Sequence, residues 1–368
     1  MAAIGGPLAL ATIYVPQAAD LRSAGLLMLL GSLLYALPLT IWVRYSREIV
    51  SAGGLAAFVE SASGRRLALL QAGIWSVSYF LYLPYTVTDI VYEMLAEVFP
   101  GIEPWRWLLE IALPIAIVGL VLLGTRPVLL ALTASAAIQL VLVLILGFVI
   151  LQKVGAPHTT FTHSPGTHHI IRQSASISLL FICGSLPIFL GAEVIGGSRV
   201  VRRSLVLAGT LVAAYVLFAV FPLAAVEPAL RNSDFPGYDI ANAYSGRTFA
   251  IIIGLGTVAS VAGVIVAEYL AFSRLLFSVT GVPVRRLLVW IGIPFIAVDV
   301  LSTLSPDEFD KNVLRPSLIA LFLSQLIVFA VYPRWRRWRT TDVLLALGAC
   351  TLMAWGLYRA IFEGVASS

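Results

Sequence analysis

Apolar stretches of about twenty residues follow one another along the whole chain, and they restrict its fold more than any other feature. A run of that length crosses a hydrocarbon core about 30 Å thick. Lipid offers no hydrogen bonds to a backbone, so such runs must be helices or strands of a closed barrel. These runs are continuous rather than alternating, which selects helices and excludes a barrel. The composition agrees: 60% of the 368 residues are hydrophobic and 12% are charged, against about a quarter charged in soluble domains. The pattern predicts an all-α polytopic membrane protein with eleven spans. They lie near 4–20, 24–43, 68–95, 106–123, 127–151, 174–196, 203–226, 248–278, 287–304, 314–332 and 342–363. Glycine- and proline-rich turns separate them, among them Pro100-Gly101, Gly196-Gly197-Ser198 and Gly281-Val282-Pro283. The longest hydrophilic connections, 44–67, 152–173 and 227–247, are too short to fold alone, so residues 1–368 read as one transmembrane domain. The N-terminus has no basic segment, and its first apolar run contains Pro7 and Pro16, so no cleaved signal peptide is expected.

The net charge of +5 invites a nucleic-acid reading, but the basic residues lie between spans, which excludes it. One set of alternate loops carries fifteen arginines, including Arg44, Arg66, Arg126, Arg203, Arg286 and Arg337. The other set carries eight basic residues, several beside acidic ones. The positive-inside rule then predicts a multi-pass cell-membrane protein with its N-terminus cytoplasmic and its C-terminus outside. Cys183 and Cys350 both sit within apolar runs and read as buried thiols rather than a disulfide or metal framework. All four histidines, His158, His163, His168 and His169, share one loop rich in Thr, Ser, Pro and Gly. That loop reads as solvated, with metal binding or pH sensing as the alternative.

Several motifs stand in a fixed order. Tyr14-Val15-Pro16 is followed by Ala18, Ala19 and Gly25. Ala52-Gly53-Gly54-Leu55-Ala56-Ala57-Phe58 and Ala62-Ser63-Gly64 precede a long aromatic third span. Phe189-Leu190-Gly191-Ala192-Glu193 lies in the sixth span, and Ser273-Arg274-Leu275-Leu276 with Gly281-Val282-Pro283 closes the eighth. In these features residues 8–285 resemble the amino acid/polyamine/organocation superfamily of secondary transporters. Two departures stand out: Ala52 occupies a position where the family has proline, and Ala9-Leu10-Ala11 replaces a glycine pair in span one. The resemblance implies two inverted repeats of five helices, here 1–151 and 174–332, with an additional helix at 342–363 and with helices 1 and 6 broken near the midplane. Broken ends free N–H groups and carbonyls for a substrate and ions. Gly184, Ser185, Pro187 and Gly191 make a break in span six plausible from the residues themselves, within 184–192. In span one the nearest helix breakers are Gly5, Gly6 and Pro7, so the break is displaced toward the N-terminus or the cytoplasmic half-helix is abbreviated.

By that resemblance a small-molecule substrate would meet Ala9, Ala11 and Thr12 in span one and Gly184, Ser185, Phe189 and Gly191 in span six. Tyr79 and Tyr82 in span three either line this cavity or serve helix packing. Glu193 reads as a proton carrier or gate, or else as a carboxyl bonded to broken-helix backbone. Thr257 and Ser260, one turn apart, either help bind sodium or bond their preceding carbonyls. Glu268 reads as approaching the cytoplasmic edge, and Asp299 as snorkelling or pairing with loop residues near the outer face. No cofactor is expected, and the sequence leaves coupling to H+, to Na+ or to neither open. No Walker loop, zincin motif or dinucleotide fingerprint is present, and no nucleophile has a positioned histidine, so an enzyme is not expected. The implied activity is secondary transport of an amino acid or small amine. The alternative is a non-transporting nutrient receptor subunit of the kind used in spore germination. The sequence does not specify an oligomeric state.

Overall fold

A computed structural model describes residues 5–363. Among them the regular structure is entirely helical. Nine helices are long and apolar enough to cross a membrane. Two further elements complete the expected eleven. One is Val284–Ser302, 19 residues that carry Arg285 and Arg286 at one end. The other is the first helix, which is short. In order, the helices are α1 (7–18), α2 (Leu21–Tyr45), α3 (Leu55–Ser63), α4 (Arg65–Val98), α5 (Arg106–Leu122), α6 (Thr125–Val154) and α7 (Thr167–Leu180). They continue with α8 (Gly197–Val220), α9 (Pro236–Ser245), α10 (Arg247–Thr280), α11 (Val284–Ser302), α12 (Pro306–Trp335) and α13 (Thr340–Phe362). The fifteen arginines of the basic loop set mark one face of the molecule, and the histidine loop marks the other.

Among the described residues, the helix of span one is shorter than its apolar run 4–20 suggests. Gly5 and Gly6 have φ of +96° and +68°, a conformation that L side chains rarely adopt. Helix α1 starts just beyond them at Pro7, whose missing N–H costs nothing at a first turn. It winds through a π turn at Leu10–Tyr14 and ends at Ala18. Twelve residues give about 18 Å, little more than half the hydrocarbon core. Gly5 packs against the carbonyl of Leu180, so this helix begins at the depth where α7 stops.

The sixth span is interrupted, but earlier and differently than its glycines imply. The α-helix ends at Leu180, Phe181 turns with φ −87° and ψ 0°, and Ile182–Glu193 continues as a 3-10 helix. The 184–192 stretch is therefore overwound rather than non-helical. Pro187 has no N–H to donate, and Gly184, Ser185 and Gly191 are poor α-formers, which weakens the competing α geometry. This segment is also the most enclosed: 67% of its span window is buried, against 28% for the span ending in α5.

Helix α4 is the central post, packed against α3, α10, α11 and α12, while α5 lies along α11. On the other side of the cavity α1 rests on α10, α7 on α2, and α8 on α2, α6 and the 3-10 segment. Small residues allow close approach where lipid gives no hydrophobic push. Gly31 faces Ile177 and Gly292 faces the Tyr269 hydroxyl, each with no room for a methyl group. Leu33, Leu130, Ile293 and Leu344 point outward, as helices solvated by lipid require. On the arginine-rich face the buried Asp342 of α13 accepts from Arg44 of α2, from Arg336 Nε at 3.3 Å and from the Tyr332 hydroxyl at 3.2 Å. That cluster fastens the additional helix to the core.

Candidate functional site

Where α1, α4, α10, α12 and the break in span six converge, the structure encloses a cavity of about 110 Å³. Its polar lining includes Tyr14, Tyr79, Tyr82, Cys183 and Glu268. Tyr14 is the last residue of the π turn in α1, and Cys183 follows the break at Phe181. Glu268 is fully buried. Its Oε1 receives the Cys183 thiol at 3.7 Å, and the Tyr79 hydroxyl donates to the same sulfur at 3.7 Å. Its Oε2 receives no hydrogen bond. Among the described residues, no basic side chain lines the cavity. A carboxylate held this deep without a counter-charge costs several kcal/mol, so the group at Glu268 calls for a proton or a cationic partner. Three tyrosine rings around it favour the cationic partner.

A second cavity of about 260 Å³ shares Tyr14, Tyr82, Leu179, Leu180, Leu318 and Phe322 with the first. A third, of about 750 Å³, shares Gln17, Ala18, Ser176 and Arg359 with the second and includes His169 and Asp20. The three cavities follow one another, by their shared lining residues, from Glu268 toward His169. Arg359 lines the second and third, held by Ser176 of α7 and by Glu363 at 3.1 Å.

The opposite direction is closed. Below Tyr79 the rings of Trp75 and Phe189 follow in a column, with centroids 3.8 Å and 4.6 Å apart at successive steps. Phe189 lies on the backbone of Gly54, whose φ is +52°. At the arginine-rich end Arg274 Nε donates to Glu193 Oε1 at 2.8 Å. Thr125 Oγ1 lies 3.0 Å from Glu193 and 2.7 Å from Arg274. This clasp joins the 3-10 segment to α10 and α6. A methyl group at Gly54 would sit 2.3 Å from a Phe189 ring carbon, in a backbone region that L residues avoid. Gly54→Ala is therefore expected to cost roughly 2 kcal/mol or more, from backbone strain alone at about 1–3 kcal/mol. Thermal unfolding in detergent measures it, and an unchanged melting temperature would show that the loop and ring yield freely.

The residues marked from sequence fall into three places. Tyr79 and Tyr82 line the cavity. Thr12, Thr257 and Ser260 gather instead behind α1. Thr12 and Thr257 share a hydrogen bond at 3.0 Å, the Ala9 N–H donates to Ser260 Oγ at 3.2 Å, and Ser260 donates to Gln139 at 2.8 Å. Ala11 is buried beside them. Gly184, Ser185, Phe189 and Gly191 lie along the 3-10 segment below the cavity. There Ser185 accepts from Gln325 at 3.3 Å, and Gly191 abuts Val50 and Ser51. Glu193 is at the clasp, 39% exposed. Glu268 does not reach the cytoplasmic edge as its closeness to Arg274 suggested. Six residues of helix place the two about 9 Å apart along the axis, which puts the carboxyl at the cavity. Cys183 and Tyr14 were not marked as cavity residues, and Glu268 was marked but placed at the helix end. The available signal for Glu268 was that it is the only acidic residue in the 34-residue α10. Among the described residues no three His, Cys, Asp or Glu side chains come together as a metal site.

No family model matches the sequence, and no curated protein matches it in sequence. Solved structures do match in fold. MhsT in complex with L-phenylalanine superposes with a TM-score of 0.60 at 16% identity, over 98% of this chain and 94% of that one. A manganese transporter of Eremococcus coleocola gives 0.64 at 14% identity, over 100% and 89%. A Na+-coupled sialic acid symporter in a substrate-bound outward-open state gives 0.61 at 14% identity, over 99% and 90%. The chain has the fold of these membrane transporters.

Proposed function

We propose that the protein is a secondary transporter that moves a small amine, or an amino acid bound through its amino group, by alternating access. The observation that carries this reading is the buried carboxyl of Glu268, which lines the cavity with its Oε2 unpartnered. The substrate ammonium sits at Glu268 Oε2, with the hydroxyls of Tyr14, Tyr79 and Tyr82 available to its polar groups. In the other state the Glu193–Arg274 clasp parts, the Phe189–Trp75 column separates and the cavity empties toward the arginine-rich face. We take that face as cytoplasmic from its arginine excess.

The coupling ion on this reading is the proton. A buried carboxylate needs a positive partner at every stage of the cycle, and a proton and an ammonium compete for the same oxygen. Thr12, Thr257 and Ser260 satisfy one another and Gln139, so sodium there would first have to displace protein hydrogen bonds.

The deciding experiment is uptake of labelled amines and amino acids into proteoliposomes under imposed proton or sodium gradients. Proton-driven accumulation of an amine supports the proposal. Accumulation driven only by sodium overturns the coupling, and saturable binding without uptake favours a nutrient receptor. Orientation has its own check. Single cysteines at Arg66 or Arg337, in a background without Cys183 and Cys350, should react in intact cells only with permeant reagents. A cysteine at His163 should react with impermeant ones. The reverse pattern would invert the topology.

A further inference from the structure

A second group of acids lies away from the cavity, where α4, α5 and α11 meet one turn below the histidine-bearing face. Glu110 of α5 and Asp299 of α11 are both fully buried, with Thr88 of α4 and Ser302 of α11 between them. Asp299 does not pair with loop residues, as its place near a helix end suggested. Neither of its carboxylate oxygens receives a hydrogen bond, nor does Glu110 Oε2. Glu110 Oε1 is served by Thr88 Oγ1 at 2.5 Å and by Ser302 Oγ at 2.9 Å. The two hydroxyls are 3.3 Å apart. Ser302 Oγ also lies 2.8 Å from the Asp299 carbonyl, so one hydroxyl bridges the two acidic residues. Arg106, one turn before Glu110 on the same helix, turns away and stacks over Tyr92, 5.4 Å from the ring centre. None of these four side chains lines the central cavity.

We propose that Glu110, Asp299, Thr88 and Ser302 form a second cation site, for a divalent ion of the calcium class that binds α5 and α11 to α4. Two observations select a metal ion over a proton. A proton shared between Asp299 and Glu110 would serve at most two of the three orphaned oxygens and would leave one negative charge buried. One metal ion engages all three orphaned oxygens together. The donors are carboxylate and hydroxyl oxygens only, which suits hard cations and not the soft metals that thiols select. Two carboxylates balance a divalent charge, whereas a monovalent ion leaves a net charge inside the membrane. Four carboxylate and two hydroxyl oxygens reach the lower end of the six to eight ligands that calcium accepts in flexible geometry. Magnesium demands near-ideal octahedral geometry and usually keeps several waters, whereas calcium accepts the irregular oxygen set that side chains from three helices present.

The probe is Ca2+ itself, titrated by equilibrium binding and thermal unfolding into the purified full chain after stripping with chelator. The expected result is saturable binding of one ion per chain with a rise in melting temperature that follows occupancy. Asp299→Asn and Glu110→Gln should each lose the binding and the rise, while Glu268→Gln keeps both. If a carboxylate variant is too unstable to purify, Ser302→Ala reports instead, through weakened affinity with both acids present. Three results would overturn the site: no saturable Ca2+ binding to the wild type, binding that survives both carboxylate substitutions, or binding lost in Glu268→Gln. Stabilisation by Na+ or by acid alone, with no response to Ca2+, would overturn the divalent assignment.

Discussion

Glu268→Gln is expected to fold and insert normally yet bind an amine substrate at least about 30-fold more weakly, and to abolish concentrative uptake. The magnitude follows from truncating one partner of a desolvated charge pair, which costs roughly 2–5 kcal/mol. The carboxamide keeps the shape of the side chain and its contact with Cys183 while removing the charge that holds the ammonium. Stability should stay level or rise, because an uncompensated buried charge has been removed. A merely structural Glu268 makes the contrary prediction: a lower melting temperature, with uptake per folded molecule unchanged. Substrate binding in the wild type should also weaken as protons compete for the carboxylate, and in Glu268→Gln that pH dependence should vanish. Binding by Glu268→Gln at wild-type affinity would remove the cation from the central cavity and with it the proposed coupling.

Arg274→Ala is expected to raise the reactivity of Cys183, probed from the arginine-rich face in a background without Cys350, by about tenfold. Cys183 lines the cavity, so a reagent arriving from that face reaches it only when the clasp and the aromatic column have opened. A charge-assisted hydrogen bond contributes about 1.5–3 kcal/mol, and Glu193 is partly solvated, so the low end of that range applies. The two halves of the clasp are not equivalent. Without Arg274, Glu193 takes up water at the surface. With Glu193→Gln, Arg274 is left almost buried with no counter-charge and only the hydroxyls of Thr125 and Ser273 beside it, so the closed state should lose more from this change. Labelling that is the same in wild type and Arg274→Ala would show that the ion pair does not hold the closed state.

The helices were legible because the lipid constraint is severe: an apolar run of sufficient length has few alternatives to a spanning helix. The weak points in the pattern were legible too, but not their geometry. Gly184, Ser185, Pro187 and Gly191 announced trouble in span six. The α-helix nevertheless ends at Leu180, because Phe181 takes the turn and the glycines are absorbed into 3-10 winding. The site was harder to read, because helical register, not residue type, decides which side chain meets a cavity. Tyr79 and Tyr82 are close enough on one helix to share its cavity face. Thr12 sits two residues before Tyr14 on α1 and so points away, toward Thr257. Asp299 shows the same limit, since its position near a helix end suggested solvent while its neighbours Glu110 and Ser302 enclose it. Partners brought from distant helices leave no trace in local spacing.

The winding of Ile182–Glu193 stores length. A 3-10 helix rises about 2.0 Å per residue and an α-helix about 1.5 Å, so twelve residues hold about 6 Å that rewinding would release. That contraction exceeds a full helical turn of about 5.4 Å. With its upper end fixed at Phe181, it would draw Glu193 clear of Arg274 and carry Phe189 off Trp75 in one stroke. Clasp and plug ride on the same short rod, so neither can open far while the other stays shut.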